Sequence, residues 1–121
     1  MYLLSQFKEY LSSGAASVVQ ADVARVGGIT PWLKIAHLAE AHNVAVCPHF
    51  LMEFHVSLVC AVQNARWLEY IPQLDLIAPE GMTIEGGLAR PSSEAGLGIT
   101  WDWNAIAREA VMPPIEIKDA N

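Results

Sequence analysis

The chain has 121 residues, with 7 lysine and arginine residues against 13 aspartate and glutamate residues, so its net charge at neutral pH is −6. Hydrophobic residues make up 53% of the chain and charged residues 17%, a balance that excludes intrinsic disorder. The length allows one folding unit with one modest core. The shortage of basic residues argues against a nucleic-acid partner, because such a surface must neutralise phosphates.

The start of the chain and its cysteines indicate a cytoplasmic protein. The first residues lack a basic segment followed by an apolar one, so they are not typical of a signal peptide. No apolar run reaches the roughly 18 residues of a membrane span, and no membrane partner is expected. Cys47 and Cys60 lie in apolar stretches without a CxxC motif, and we expect both to be buried free thiols in a reducing compartment.

Three segments with apolar residues at helical spacing alternate with three short apolar runs rich in β-branched residues. In chain order they predict helix 2–12, strand 17–21, helix 30–43, strand 44–47, helix 53–63 and strand 66–70. The second helix is expected to begin with the Thr30 hydroxyl as N-cap and Pro31 at its first position. This order predicts parallel strands joined by crossover helices, the α/β class.

The segment after Pro72 changes character. Residues 82–85 and 88–91 flank Gly86-Gly87, which predicts a hairpin with a glycine turn. The remaining predicted features are a glycine-rich loop through residue 98, a short helix near 103–110 capped by Thr100 or Asp102, and an extended or frayed tail over 113–121.

An ionisable residue follows or ends each predicted parallel strand: Asp22, His49 and Glu69. The carboxyl ends of parallel strands form the face on which α/β proteins build their sites. Asp22 and His49 are 27 residues apart, about one strand–helix unit, so adjacent strands would place them side by side. A carboxylate that holds one imidazole nitrogen prepares the other for general acid/base work. The alternative is that Asp22 caps a turn and His49 is a hydrogen-bonded histidine near the core.

Three further patterns keep alternatives open. Glu69 lies in an otherwise apolar strand, so it is protonated and donating, ionised and paired, or at a strand end that reaches solvent. His49, Glu53 and His55 suggest a metal site, but position 55 points away from the face shared by the other two and HExxH is absent; we therefore assign no metal ligand. Gly27-Gly28 suits an ordinary turn, or an anion held by the amides that begin the second helix.

Segments 22–30, 48–53 and 67–69 read DVARVGGIT, PHFLME and WLE. In that order they resemble the mandelate racemase group of the enolase superfamily (mandelate racemase/muconate lactonizing enzyme-like), and within it the acid-sugar dehydratases of the galactarate/talarate kind. The resemblance covers about residues 2–110. It implies the last three strands of a modified (β/α)-barrel, with their helices, over residues 1–78. Residues 79–121 would form a hairpin, loop and short helix that return toward an N-terminal capping domain.

The resemblance also implies a chemistry. Asp22 and His49 would form the dyad that removes a proton α to a carboxylate, and His49 would expel a β-hydroxyl in a dehydration. Glu69 would hydrogen-bond the substrate carboxylate as it becomes an enediolate. The substrate would be an acid sugar or another 2-hydroxy carboxylate, and Mg²⁺ would be the cofactor.

The rest of the family's site would precede residue 1. Three metal-binding carboxylates, a lysine on the second strand and the capping domain have no counterpart in this chain, so we expect it to be inactive alone. One hypothesis is the C-terminal portion of a Mg²⁺-dependent acid-sugar dehydratase, or of a related racemase or epimerase, that pairs with a chain supplying the rest of the barrel. The other is a catalytically incomplete barrel fragment that self-associates through exposed strand edges.

Overall fold

The computed structural model describes residues 1–113 and residue 115; the rest of the predicted tail lies outside the described residues. Within them the elements, in chain order, are α1 (Leu4–Ser12), β1 (Val18–Val19), α2 (Ile29–Ala41), β2 (Ala45–Val46), α3 (Met52–Cys60), β3 (Met82–Glu85), β4 (Leu88–Pro91) and α4 (Trp103–Glu109).

The two strands β1 and β2 form a small parallel sheet. Val18 pairs with Ala45 and Val19 with Val46, and α2 crosses between them. The predicted α/β class and the order of helices and strands are confirmed up to this point.

The third predicted strand, residues 66–70, does not form, which corrects the sequence prediction. Parallel pairing in this stretch is a single bridge between Val46 and Ala65. It is held by the Arg66 N–H, which donates to the Val46 carbonyl over 3.1 Å. Two residues after Val46, beyond the end of β2, stands Pro48, which has no N–H to extend the ladder. Residues 66–70 therefore continue without strand pairing.

The core lies between the first three helices and the β1–β2 sheet. α1 packs against α2, and the predicted apolar face of α2 is buried, with Trp32 and Ala36 at 0% exposure. The Trp32 indole N–H donates to the Ala21 carbonyl over 3.0 Å, so the largest core side chain also pins the chain beside the end of β1.

The start of α2 differs from the sequence prediction. The helix begins at Ile29 with Gly28 as N-cap, and no side chain caps it, so the Thr30 hydroxyl is not the cap. Gly28 has φ 114°, a value that glycine adopts freely, and its N–H donates to the Val23 carbonyl over 2.7 Å. The Gly27-Gly28 pair thus serves an ordinary turn that leads into the helix.

The C-terminal hairpin is confirmed. β3 and β4 pair antiparallel with Glu85 opposite Leu88, and both turn glycines have positive φ, 59° at Gly86 and 80° at Gly87, as a two-residue turn of type I′ requires. β4 packs against α3. The last helix is also confirmed, with Asp102 as its cap, because its carboxylate accepts from two backbone N–H groups of the first turn.

The surface of the structure exposes one cysteine and several large apolar side chains. Cys60 is exposed and Cys47 half-buried, so the expectation of two buried thiols is wrong; Cys60 ends α3, where an apolar sequence context does not guarantee cover. Large apolar side chains are also exposed in the second half of the chain, among them Trp67 at 75% and Trp103 at 72%. In the described part of the chain, no helix has the length and apolar character needed to cross a membrane.

Candidate active site

The parallel register of β1 and β2 brings the two residues that follow these strands together. Beyond the sheet, the Cys47 N–H donates to the Val19 carbonyl over 2.9 Å and the His49 N–H to the Ala21 carbonyl over 3.3 Å. As a result Asp22 and His49 lie side by side, with His49 Nδ1 3.4 Å from Asp22 Oδ2. This separation is longer than is typical of an N–H···O hydrogen bond.

Asp22 is held from several directions. It is 5% exposed. Its Oδ1 accepts the N–H groups of Ala24 and Arg25, over 2.9 and 3.2 Å, and the Arg25 guanidinium lies 3.3 Å from Oδ2. Burial pushes the pKa of Asp22 up, but the Arg25 N–H, the His49 side chain, the Ala24 N–H and the Arg25 charge outweigh it and hold the pKa below its ordinary value. Asp22 therefore both caps a turn and carries a negative charge beside His49.

His49 is the more accessible member of the pair, with 36% of its side chain exposed. An ionised carboxylate only accepts hydrogen bonds, so the Nδ1 that faces Asp22 carries the proton of the neutral ring. Nε2 is then left as the basic nitrogen. The arrangement suits an imidazole that takes a proton from a substrate at Nε2.

Glu69 is brought to the same loop from the segment beyond the sheet. Its Oε2 accepts the N–H of Phe50, the residue after His49, over 2.7 Å. Glu69 is half-buried, and it ties residues 66–70 to the end of β2 although no strand forms there.

Two residues at the start of α3 have roles that the sequence pattern did not indicate. His55, considered only as a metal ligand, is completely buried. Its Nε2 accepts the Val23 N–H over 3.0 Å, and its Nδ1 lies 2.7 Å from the Phe50 carbonyl oxygen and 3.0 Å from that of Leu51. The one signal in the sequence was a histidine within an apolar helix.

Glu53 is 3% exposed, yet neither carboxylate oxygen has a hydrogen-bond partner among the described residues. Burial raises the pKa of Glu53, the N–H of its own backbone lowers it in part without forming a hydrogen bond to either oxygen, and the negative charge of Asp75 raises it again. It packs against the segment leading into the hairpin, where a Cβ added at Gly81 would lie 3.3 Å from Glu53 Cγ. Glu53 is thus a buried carboxyl whose charge is disfavoured.

The described residues do not fit a Mg²⁺ site. Magnesium needs several oxygen ligands in octahedral geometry, and residues 1–113 and 115 contain no group of three or more histidine, cysteine, aspartate or glutamate side chains that could hold a metal ion. Asp22 is already occupied by two amides and a guanidinium. His49, Glu53 and His55 do not form a metal centre either, because His55 turns both ring nitrogens to backbone groups.

A groove of about 540 Å³ lies between residues 65–70 and the hairpin. Glu69 and Trp67 contribute to it from one side, and Ile84 and Leu88 from the other. Neither Asp22 nor His49 lines it.

Comparison with known proteins places this geometry in a wider context. Residues 1–105 match the family model described as Enolase C-terminal domain-like. The L-talarate/galactarate dehydratase of Salmonella typhimurium is 38% identical over 101 residues, which cover 81% of this chain and 25% of that protein.

Two solved structures are similar in fold. The L-talarate dehydratase from Polaromonas sp. JS666, complexed with Mg and L-glucarate, has a TM-score of 0.75 and 35% identity over 88% of this chain and 30% of its own. A racemase from Streptomyces coelicolor with bound magnesium has a TM-score of 0.76 and 26% identity over 89% of this chain and 30% of its own. The chain therefore spans about a quarter to a third of the length of these relatives.

Proposed function

The chain belongs to the Enolase C-terminal domain-like family, and from that premise we propose that it carries the proton-transfer residues of an acid-sugar dehydratase. The observation that carries the proposal is the pairing of Asp22 with His49 at the ends of adjacent parallel strands, 3.4 Å apart. The similarity to L-talarate/galactarate dehydratase over 81% of the chain supports the substrate class.

His49 is the general base and acid in this proposal. Its Nε2 takes the proton α to the substrate carboxylate while Asp22 holds Nδ1, and the C–H electron pair becomes the C=C bond of an enediolate. His49 then returns the proton to the β-hydroxyl, which leaves as water, and the resulting enol tautomerises to a 2-keto acid. Asp22 stays ionised throughout, since its pKa is held below the ordinary value.

Glu69, which is hydrogen-bonded to the loop after His49, is the third residue of this proposal. One oxygen holds the Phe50 N–H, and the other is the group that would hydrogen-bond the substrate carboxylate as charge builds on it. A carboxyl can donate such a bond only when protonated.

A proton α to a carboxylate is weakly acidic, so its removal requires groups that stabilise the negative charge that develops on the carboxylate. Bound Mg²⁺ stabilises charge on a carboxylate oxygen, and the related talarate dehydratase structure contains Mg, but the described residues offer no cluster to hold it. We propose that the remaining groups come from further residues of a longer protein or from another chain that supplies the rest of the barrel.

The test compares the 121-residue chain alone with a chimera in which it replaces the matching segment of the Salmonella dehydratase. Galactarate and Mg²⁺ are added in D₂O, and both 2-keto acid formation and α-proton exchange are followed. We expect no turnover from the chain alone and turnover from the folded chimera. His49→Asn in the chimera should lower kcat on the order of 10²-fold or more, whereas His37→Asn, at an exposed histidine of α2, should not. Turnover by the His49→Asn chimera would contradict the proposal.

A racemase or epimerase of 2-hydroxy acids is a second candidate, favoured by the similarity to a racemase from Streptomyces coelicolor. The same pair would remove and return the α-proton without loss of water. It is distinguished in the same experiment, because the chimera would then exchange the α-proton and change the configuration of the substrate without forming a 2-keto acid.

The remaining alternative is a non-catalytic assembly. The sheet of β1 and β2 is two strands wide, and apolar side chains such as Trp67 are exposed, a combination that favours association. The mass of the purified chain in solution decides this point, since a stable monomer would exclude self-association.

A further inference from the structure

We propose that His55 is a positioning residue that sets the distance between Asp22 and His49 by tying together the two loops that carry them. The inference rests on the proposed function for its catalytic meaning, because the pair it positions is the proposed proton-transfer pair. Its geometric part concerns this chain alone and can be tested without substrate.

One imidazole ring contacts both loops at the residues next to the pair. Val23, whose N–H donates to His55 Nε2 over 3.0 Å, directly follows Asp22. Phe50, whose carbonyl oxygen is 2.7 Å from His55 Nδ1, directly follows His49. The two ends of the ring thus hold the chain one residue beyond each member of the pair.

The partners determine the protonation of the ring. A backbone N–H can only donate, so Nε2 must accept, and a carbonyl oxygen can only accept, so Nδ1 must carry the proton. Only the neutral Nδ1–H tautomer makes both bonds at once. Burial lowers the pKa of His55, against the opposing effect of the two carbonyl groups, and this keeps the ring in that neutral form.

The loop after His49 needs such support because its backbone is strained. Phe50 has φ 59° and Leu51 has φ 37°, values in the left-handed region that residues other than glycine rarely adopt unless the surroundings hold them there. The Phe50 N–H is held by Glu69 and its carbonyl by His55. The same ring nitrogen lies 3.0 Å from the Leu51 carbonyl oxygen.

The loop that carries Asp22 is fixed in the same way from two helices. Trp32 of α2 binds the carbonyl of Ala21, on one side of Asp22, and His55 of α3 binds the N–H of Val23, on the other. The two rings also pack together, with centroids 5.9 Å apart. Removing the hydrogen-bonding atoms of His55 therefore frees one side of Asp22 and the strained turn after His49 together.

The experiment records the ¹⁵N spectrum of the histidine rings in the 121-residue chain, without substrate or metal, at a pH where His49 is neutral. Four variants are compared with the wild type: Asp22→Asn, which removes the charge that selects the His49 tautomer; His55→Leu, which removes both ring contacts; His55→Gln, whose amide retains one donor and one acceptor; and His37→Leu, the exposed control.

We expect His49 in the wild type to show mainly the Nδ1–H tautomer, and in His55→Leu to shift toward the mixture found in Asp22→Asn. His55→Gln should restore most of the wild-type signal, and His37→Leu should leave it unchanged. A folded His55→Leu protein with the wild-type His49 spectrum would overturn the proposal, because His55 would then be a core residue only. If His55→Leu does not fold, the result for His55→Gln decides. We then expect folded His55→Gln to retain the wild-type His49 spectrum. The proposal is overturned if folded His55→Gln loses that spectrum, or if His55→Gln also fails to fold.

The catalytic consequence is measured separately in the chimera with the Salmonella dehydratase. His55→Leu should lower kcat on the order of 10-fold to 100-fold, the effect of a misplacement near 1 Å, with KM changed less than about threefold. If the spectra behave as expected but the chimera is inactive in every form, the proposed function fails and the positioning role stands. If the chimera is active and the spectra do not change, the positioning role fails and the proposed function stands.

Discussion

The part of the chain before residue 65 and the part after it differ in how far their apolar side chains are buried. The core cluster of buried apolar residues is drawn entirely from between Phe7 and Val62. Among the described residues beyond Ala65, the buried apolar side chains are those of Ala78 and Ala105, while Trp67 and Trp103 are largely exposed. Asp22 and His49 thus stand on a packed core, whereas Glu69 reaches the site from a segment with little burial of its own.

This difference indicates which parts of the site are fixed by this chain. In the first part, Val19 of β1 and Val46 of β2 belong to the buried apolar cluster, and its burial stabilises the strand ends. The second part exposes an apolar groove of a kind that soluble proteins usually cover. The placement of the Asp22–His49 pair should therefore survive changes to the second part, and the position of Glu69 should be the more sensitive.

The largest difference in stability should appear when one tryptophan from each part is replaced by alanine. Trp32→Ala removes a fully buried ring and its hydrogen bond to Ala21, and should cost about 3–5 kcal/mol of the free energy of unfolding. Trp103→Ala, at an exposed ring, should change it by less than about 0.5 kcal/mol. Urea denaturation followed by circular dichroism measures both, and similar costs for the two would break the comparison.

A smaller difference is expected between two aspartates that cap backbone N–H groups. Asp22→Ala should cost about 1–3 kcal/mol at neutral pH, and Asp102→Ala, at the start of α4, about 1 kcal/mol. The folded-state pKa of Asp22 lies below its unfolded value, so its stabilisation is complete above about pH 3.9 and is lost as the pH falls through the folded pKa. Denaturation of wild type and Asp22→Ala across this range should show the gap closing in acid; a gap independent of pH would contradict it.

Glu53 should show the opposite pH dependence. Its folded-state pKa is raised by burial, so folding is favoured while it is protonated, and stability is lost as the pH rises from its unfolded value of about 4.3 through the folded pKa. Glu53→Gln should therefore be more stable than the wild type at neutral pH, by on the order of 1 kcal/mol, and should converge with it in acid. Glu9→Gln, on the exposed side of α1, is the control and should show no such convergence. A loss of stability in Glu53→Gln at neutral pH would show that the ionised carboxylate has a partner.

The smallest effect on stability should come from the groove. Leu88→Ser, at an exposed side chain of β4, should change the free energy of unfolding by less than about 0.5 kcal/mol while reducing any self-association measured by light scattering. Tyr10→Ser, at a similarly exposed position of α1, should leave association unchanged. If Tyr10→Ser reduces association as much as Leu88→Ser, the first part of the chain contributes to self-association as much as the groove does, and the proposed difference between the two parts is wrong.

Local signals in the sequence predicted much of the first part and the hairpin. Helical spacing identified the buried face of α2 around Trp32, and the Gly86-Gly87 turn with its flanking strands was predicted to the residue. These features depend on neighbours within a few positions, so the sequence order carries them. The third strand was predicted from the same kind of signal and does not form, because pairing also needs a partner strand and Pro48 ends the one available.

By itself the sequence determined that Asp22, His49 and Glu69 follow or end apolar runs. The alternation of helix and strand also predicted that Asp22 and His49 would be neighbours. Only the tertiary structure decided how they are held. His55 is 32 residues from Val23, to which it binds, and Glu69 is 19 residues from Phe50. Glu53, one turn from His49 in sequence, has no partner at all among the described residues. Hydrogen-bond partners at such separations are set by how the helices pack on the sheet, and no local pattern of residues encodes that arrangement.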